Sequence, residues 1–104
     1  MNMEALRQAI RERKIEWRKH ALQRLAERNI AREAVLAAVL SGELIEDYPD
    51  DTPYPSALFL GFVAKRPLHA VVAIDEIDKI AYIISAYEPS LDFFEEDYKT
   101  RRAQ

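Results

Sequence analysis

The sequence contains no cysteine and only two glycines, Gly42 and Gly61. The first absence excludes disulfides, thiolate metal sites and a cysteine nucleophile. The second excludes a glycine-rich phosphate loop. Long apolar runs are also missing. The longest are Ala34–Leu40 and Ala57–Ala64, far short of the roughly 20 residues that a membrane helix needs. Met1–Lys14 is charged throughout and carries no signal-peptide core. These features predict a cytoplasmic protein with no membrane partner. Ser41, Ser56, Ser85 and Ser90 stand in no nucleophile-elbow context. The two histidines, His20 and His69, form no ligand-spaced pair, so neither a metal nor another cofactor is expected.

Against these absences stand 49% apolar residues in a chain of 104, enough for one domain with a core of its own. The net charge of −3 is unevenly spread. Residues 1–32 hold nine Lys/Arg against four Glu, whereas residues 33–64 hold six acids and no Lys or Arg. A basic N-terminal third on an acidic body can meet a polyanion on one side, although solvated helix faces would produce the same asymmetry.

Hydrophobic periodicity predicts helices over about residues 3–40. Leu6 and Ile10 share a face of the first, over 3–13. A second is expected from Trp17 to Arg28, with Trp17, Ala21, Leu22, Leu25 and Ala26 on its apolar side. His20, Arg24 and Arg28 then fall within an arc of about 80° at the margin of that side. Asn29 tolerates the left-handed geometry that ends such a helix. The third, about Arg32–Leu40, is apolar on most sides and reads as the central helix, with Gly42 expected as a left-handed stop. From about residue 43 to 88 the period changes. Strands are expected at Glu43–Tyr48, Ala57–Ala64, Leu68–Ile74 and Lys79–Tyr87, separated by the proline-rich stretch Pro49–Pro55 and two short turns. Short connections imply antiparallel pairing. The expected fold is α+β, with N-terminal helices packed on a four-stranded antiparallel sheet and a short C-terminal helix or tail over 90–104.

The groups left for chemistry are His20, Arg24 and Arg28 on the second helix, His69 and Tyr87 on strands, and Arg101. Metal-free cleavage of RNA needs these types: a base for the 2′-hydroxyl and an acid for the leaving 5′-oxygen, with cations on the phosphate. Histidine suits the proton transfers near neutral pH, and arginine suits the phosphate through its bidentate fork. Each residue also has a plainer reading: a packing role for His20, His69 and Tyr87, solvation or pairing with carboxylates for Arg24 and Arg28, and a frayed basic tail for Arg101 and Arg102.

Several pieces in fixed order carry a resemblance: His20-Ala21 with Arg24, Arg28 and Ile30; Ser41-Gly42-Glu43 with Ile45-Glu46 and Tyr48-Pro49; Pro55-Ser56 with Leu58 and Leu60-Gly61; Arg66-Pro67-Leu68-His69 with Val71; and Ser85-Ala86-Tyr87-Glu88-Pro89. Over about residues 5–90 the chain resembles the bacterial family of domain of unknown function 4258, which is itself similar to the RelE/barnase-like (BECR-fold) toxin ribonucleases. It departs from the family pattern at Arg18 and Ser85, where serine and threonine are usual, and at Ala31, where a capping Ser or Thr is common at the start of the third helix. An uncapped start costs about 1 kcal/mol.

The resemblance implies a RelE/barnase-like fold and a toxin-like, metal-independent endoribonuclease of a bacterial toxin–antitoxin pair. His20, His69 and Tyr87 would then be catalytic, and Arg24, Arg28 and Arg101 would bind RNA. The implied partners are RNA, free or on the ribosome, and a neutralising antitoxin-like protein. Homodimerisation is left open. The alternative is a non-catalytic protein- or RNA-binding module on the same fold; a small-molecule enzyme in the sheet cleft is a third reading.

Overall fold

A computed structural model describes residues 1–103; Gln104, the last residue of the expected C-terminal segment, lies outside them. The first helix, α1 (Met3–Arg11), starts at Asn2, whose side-chain oxygen accepts the Ala5 N–H at 3.0 Å. This satisfies one of the four donors that a helix start leaves free. Leu6, Ala9 and Ile10 bury its inner face. Arg13 then adopts φ 61° and turns the chain back.

The segment after this turn differs from the helix expected at Trp17. Ile15–Trp17 is a strand, β1, paired in parallel with the last strand, β5 (Ile80–Tyr87), through Ile15↔Ala81, Glu16↔Tyr82 and Trp17↔Ile83. The helix begins two residues later, as α2 (Lys19–Glu27), and buries Ala21 and Leu25. Asn29, at φ 55°, ends the helical stretch as expected. The next helix, α3 (Arg32–Ser41), has no side-chain cap at Ala31. Gly42, however, is extended (φ −87°, ψ −171°) rather than left-handed. Its missing side chain serves close approach instead, since a Cβ there would stand 2.2 Å from the Ala38 carbonyl oxygen.

Three further strands, β2 (Glu43–Tyr48), β3 (Ser56–Val63) and β4 (Arg66–Asp75), run antiparallel to one another, and β4 runs antiparallel to β5. The expected four strands are therefore joined by a fifth, in a mixed sheet of order β1-β5-β4-β3-β2. Ala64 and Lys65 turn β3 into β4, both at positive φ, as a tight two-residue hairpin requires.

One sheet face carries the core: Ala57, Phe59, Leu68, Ala70, Val72, Ile74, Ala81, Ile83 and Ala86 pack against Leu6, Ile10, Leu25, Val35 and Val39 of the helices. The opposite face presents Glu46, Leu58, Val71 and Ser85 in one cross-strand row, Leu60, His69 and Tyr87 in the next, and Ser56, Ala73 and Tyr82 in a third. Part of this face is crossed by Ser90–Ala103. Of the expected short helix or tail, no helix forms among the described residues there. Asp97 accepts the backbone N–H groups of Lys99 and Thr100 and the Thr100 hydroxyl, a local arrangement that competes with helix. The segment instead closes on itself through a Phe94↔Arg101 bridge.

Helix and sheet approach closely at Gly61, where a Cβ would meet the Ala38 Cα at 2.5 Å. Gly61→Ala must push α3 off β3 and is expected to lower stability by about 1–3 kcal/mol, measured by denaturant unfolding. An unchanged midpoint would show that the contact yields freely.

Candidate functional site

The β1–β5 pairing decides where α2 lies. Because Trp17 sits beside Ile83 and Arg18 N–H donates to the Ile83 carbonyl, α2 starts at the β5 edge of the sheet. Its C-terminal end is tied there too, since Arg28 Nη1 donates to the Ala86 carbonyl at 2.9 Å. Both ends of the His20–Arg24–Arg28 strip meet the face opposite the core. His20 lines a depression with Ala73 and Ile84, and Arg28 lines another with Tyr87, Arg66 and Glu88. Ile84 reaches its depression because it is the extra residue of a bulge between Val71/Val72 and Ser85/Ile83, the kind of irregularity that re-aims a side chain. Arg24 lies between, exposed. Among the described residues none of these three side chains is ion-paired with a carboxylate. Two depressions thus border α2 and β5, one with His20 and Ile84 and the other with Arg28 and Tyr87, and the line between them, past Arg24, is the candidate groove.

His69 is not open to this groove. It is fully buried. Its Nε2 lies 2.7 Å from the Tyr98 carbonyl oxygen, which can only accept, so Nε2 carries a proton. In the neutral ring Nδ1 is then bare and accepts from the Tyr87 hydroxyl at 3.4 Å, a long contact. The Phe94 ring meets the imidazole edge-on, with centroids 4.7 Å apart. Burial holds the imidazole below its ordinary value near 6.5. Burial likewise pushes the Tyr87 phenol up, so it stays protonated near neutrality.

Arg101 is taken up by Glu46. Its Nε and Nη2 reach the two carboxylate oxygens at 2.7 and 3.0 Å, and its guanidinium lies over Phe94 at 4.9 Å. The Arg101 hydrogen bond is the main reason the Glu46 carboxyl lies below its usual range. Tyr48 also donates to Glu46. Lys99 adds an ion pair to Glu43, so the C-terminal segment is pinned across β2 while Phe94 and Tyr98 seal His69.

Six candidates from sequence thus fall into three groups. Arg28 and Tyr87 share a depression, with His69 directly behind Tyr87. His20 and Arg24 continue along the α2 wall. Arg101 belongs to the strap. Among the described residues no three His, Asp or Glu side chains gather as metal ligands. Sequence reasoning passed over the Glu46–Arg101 pair. It also passed over a stack in which Tyr54 lies on Tyr82 (centroids 5.1 Å, planes 14° apart) with Arg18 over Tyr82. Residues 54 and 82 are brought together only by sheet register, so no local signal marks them.

The buried imidazole makes stability depend on pH. Its folded-state value is depressed, so as pH falls below about 6.5 the unfolded chain takes up a proton before the folded one does. Stability is full above about 6.5 and is lost as pH drops toward the folded value. His69→Asn should flatten this slope as pH falls below about 6.5, read from unfolding midpoints at each pH. A wild-type midpoint that does not vary there would contradict a sealed, neutral His69.

A family model described as domain of unknown function (DUF4258) matches residues 17–88. The match includes α2, α3 and strands β2 to β5, and excludes α1 and the C-terminal strap. No curated protein and no solved structure matches the chain. With more than half of its length matched, from the end of β1 through Ser85 and Tyr87 of β5, the chain belongs to the DUF4258 family.

Proposed function

We propose that this protein acts on RNA: it holds the phosphate backbone in the groove between α2 and β5 and cuts it there without a metal. The observation that carries this reading is the strip of exposed His20, Arg24 and Arg28, free of carboxylate partners among the described residues, with Arg28 beside Tyr87. Successive positions on the strip are about 6 Å apart along the helix, which suits an extended, repetitively charged ligand. Arginines left unpaired on one side of an acidic protein are a local electrostatic footprint for a polyanion. The likeness to RelE/barnase-like toxin ribonucleases belongs to the same proposal, as does a neutralising protein covering the α2 face.

In this reading His20, the exposed imidazole, takes the 2′-hydroxyl proton, the 2′-oxygen attacks the phosphorus, and the leaving 5′-oxygen takes its proton from water. Arg24 neutralises the charge that builds on that phosphate, while Arg28 and the Tyr87 hydroxyl, about two helical turns along the strip, hold a neighbouring one. The products are a 2′,3′-cyclic phosphate and a 5′-hydroxyl, and exchange with water resets His20. His69 acts through Tyr87, orienting its hydroxyl, rather than on the substrate.

A non-catalytic RNA-binding module on the same groove is the second reading. One observation favours it: the imidazole nearest Tyr87 is sealed beneath Phe94 and Tyr98.

Incubating a total-RNA pool with the folded protein in EDTA separates the two. Under the first reading RNA is cut, His20→Ala lowers the rate by about 10²–10⁴-fold, Tyr87→Phe costs less because it removes one hydrogen bond to a neighbouring phosphate, and Arg24→Lys also slows it because a point charge does not replace a bidentate fork. Binding without cutting, with or without ribosomes, would leave the module. In filter binding, Arg24→Ala and Arg28→Ala should each reduce the salt slope by about 0.7 for single-stranded RNA. Absence of RNA binding would end both readings.

A further inference from the structure

At the His20 end of the groove lies a depression of about 330 Å³. We infer that it is a nucleobase pocket that selects bases bearing an exocyclic amino group, adenine, cytosine or guanine, over uracil. The inference rests on the proposed RNA reading of the α2–β5 groove and assigns that groove a specificity element.

Four observations converge on it. First, its walls suit a flat heterocycle: Pro53 and Ile84 are apolar and Tyr54 is aromatic. Second, Tyr54 is held in place for stacking. It lies nearly parallel to Tyr82, and the Arg18 guanidinium sits 5.2 Å from the Tyr82 centroid. The stack ties the loop to β5, so a base entering beside Tyr54 meets a ring already ordered. Aromatic platforms of this kind are how proteins hold unpaired bases.

Third, the rim carries a fixed acceptor. Asp51 accepts the Thr52 N–H with Oδ1 at 3.0 Å and the Ser56 hydroxyl with Oδ2 at 2.6 Å. Each carboxylate oxygen has two acceptor positions, so each keeps one for a ligand, and Asp51 is exposed. A carboxylate accepts from an amino group such as cytosine N4, whereas uracil would present a carbonyl oxygen to it. Fourth, His20 belongs both to this depression and to the cation strip. A nucleotide whose base occupies the depression therefore has its backbone continuing toward Arg24 and Arg28. A lone carboxylate would repel RNA; here it lies beside Arg18 and His20, which leaves it a local selector on a cationic path.

The test uses the full chain and short single-stranded oligoribonucleotides of A, C or U, together with an oligo(A) carrying one abasic position, in fluorescence anisotropy. Oligo(A) and oligo(C) should bind about tenfold more tightly than oligo(U), and the abasic position should cost oligo(A) a similar factor when it falls at the pocket. Asp51→Asn should narrow the gap to oligo(U). Tyr54→Ala should weaken oligo(A) and oligo(C) while leaving the salt slope unchanged, since it removes no charge. The abasic comparison uses wild-type protein, so it stands even if Asp51→Asn disturbs the loop. Equal affinity for all three oligomers, with no abasic penalty, overturns the pocket and leaves the RNA reading intact. No binding to any oligomer defeats the RNA reading, and the pocket falls with it.

Discussion

Three residues of parallel pairing, Ile15–Trp17 against Ala81–Ile83, organise the functional half of the molecule. They anchor the chain beside β5 before α2 begins, so that helix lies along the sheet edge rather than only over the core face. Its buried residues, Ala21 and Leu25, turn inward, and the opposite requirement, that charged side chains reach water, leaves His20, Arg24 and Arg28 along the rim. The parallel strand is an economical way to do this: it adds an edge to an antiparallel meander, and its strand partner lies far along the chain, with α2, α3 and the meander spanning the crossover that parallel pairing needs.

The two sheet faces obey different physics. On the helix side, Gly61 and Gly42 let α3 approach until backbone touches backbone, and the interior is apolar throughout. On the other side the burial is mixed. Leu58, Leu60 and Phe94 are buried there beside a buried imidazole, which is tolerated because His69 gives its one N–H to the Tyr98 carbonyl. A buried polar group without such a partner would cost roughly 1–3 kcal/mol. The ion pairs that hold the strap, Arg101–Glu46 and Lys99–Glu43, are partly solvated, so each contributes modestly. The apolar contact of Phe94 and the His69 hydrogen bond do more to fix it.

This division gives the opposite face two territories. The strap covers it at Glu43 and Glu46 of β2 and at His69 of β4. Along β5 and at Ala73 of β4, beside the 51–54 loop and α2, it is open. The proposed RNA groove and its base pocket occupy the open territory, and Tyr87 stands at the border, its ring against the covered His69 and its depression shared with Arg28. Under the proposed function a phosphate held at Tyr87 and Arg28 would have a dry interior behind it and the α2 arginines before it, a combination that strengthens electrostatic effects.

Local pattern in the sequence was enough for α1, α3, the four antiparallel strands and the alignment of His20, Arg24 and Arg28, because each rests on a periodicity that neighbouring residues share. The family resemblance likewise came from short pieces in order. What local pattern could not determine was set by long-range partners. A three-residue strand has no period to read, so Ile15 and Glu16 are left between two helices and Trp17 reads as the start of the second, whereas pairing with β5 makes all three a strand. Residues 92–102 have helix-compatible composition, yet the Asp97 side chain and the fit of Phe94 on His69 select a folded-back strap. His69 looked like an available acid or base from its neighbours in the chain, and only the strap, arriving from much later in the sequence, made it an interior group. The Tyr54–Tyr82 stack exists because β3 and β5 both pair with β4, a register that no stretch of sequence contains by itself.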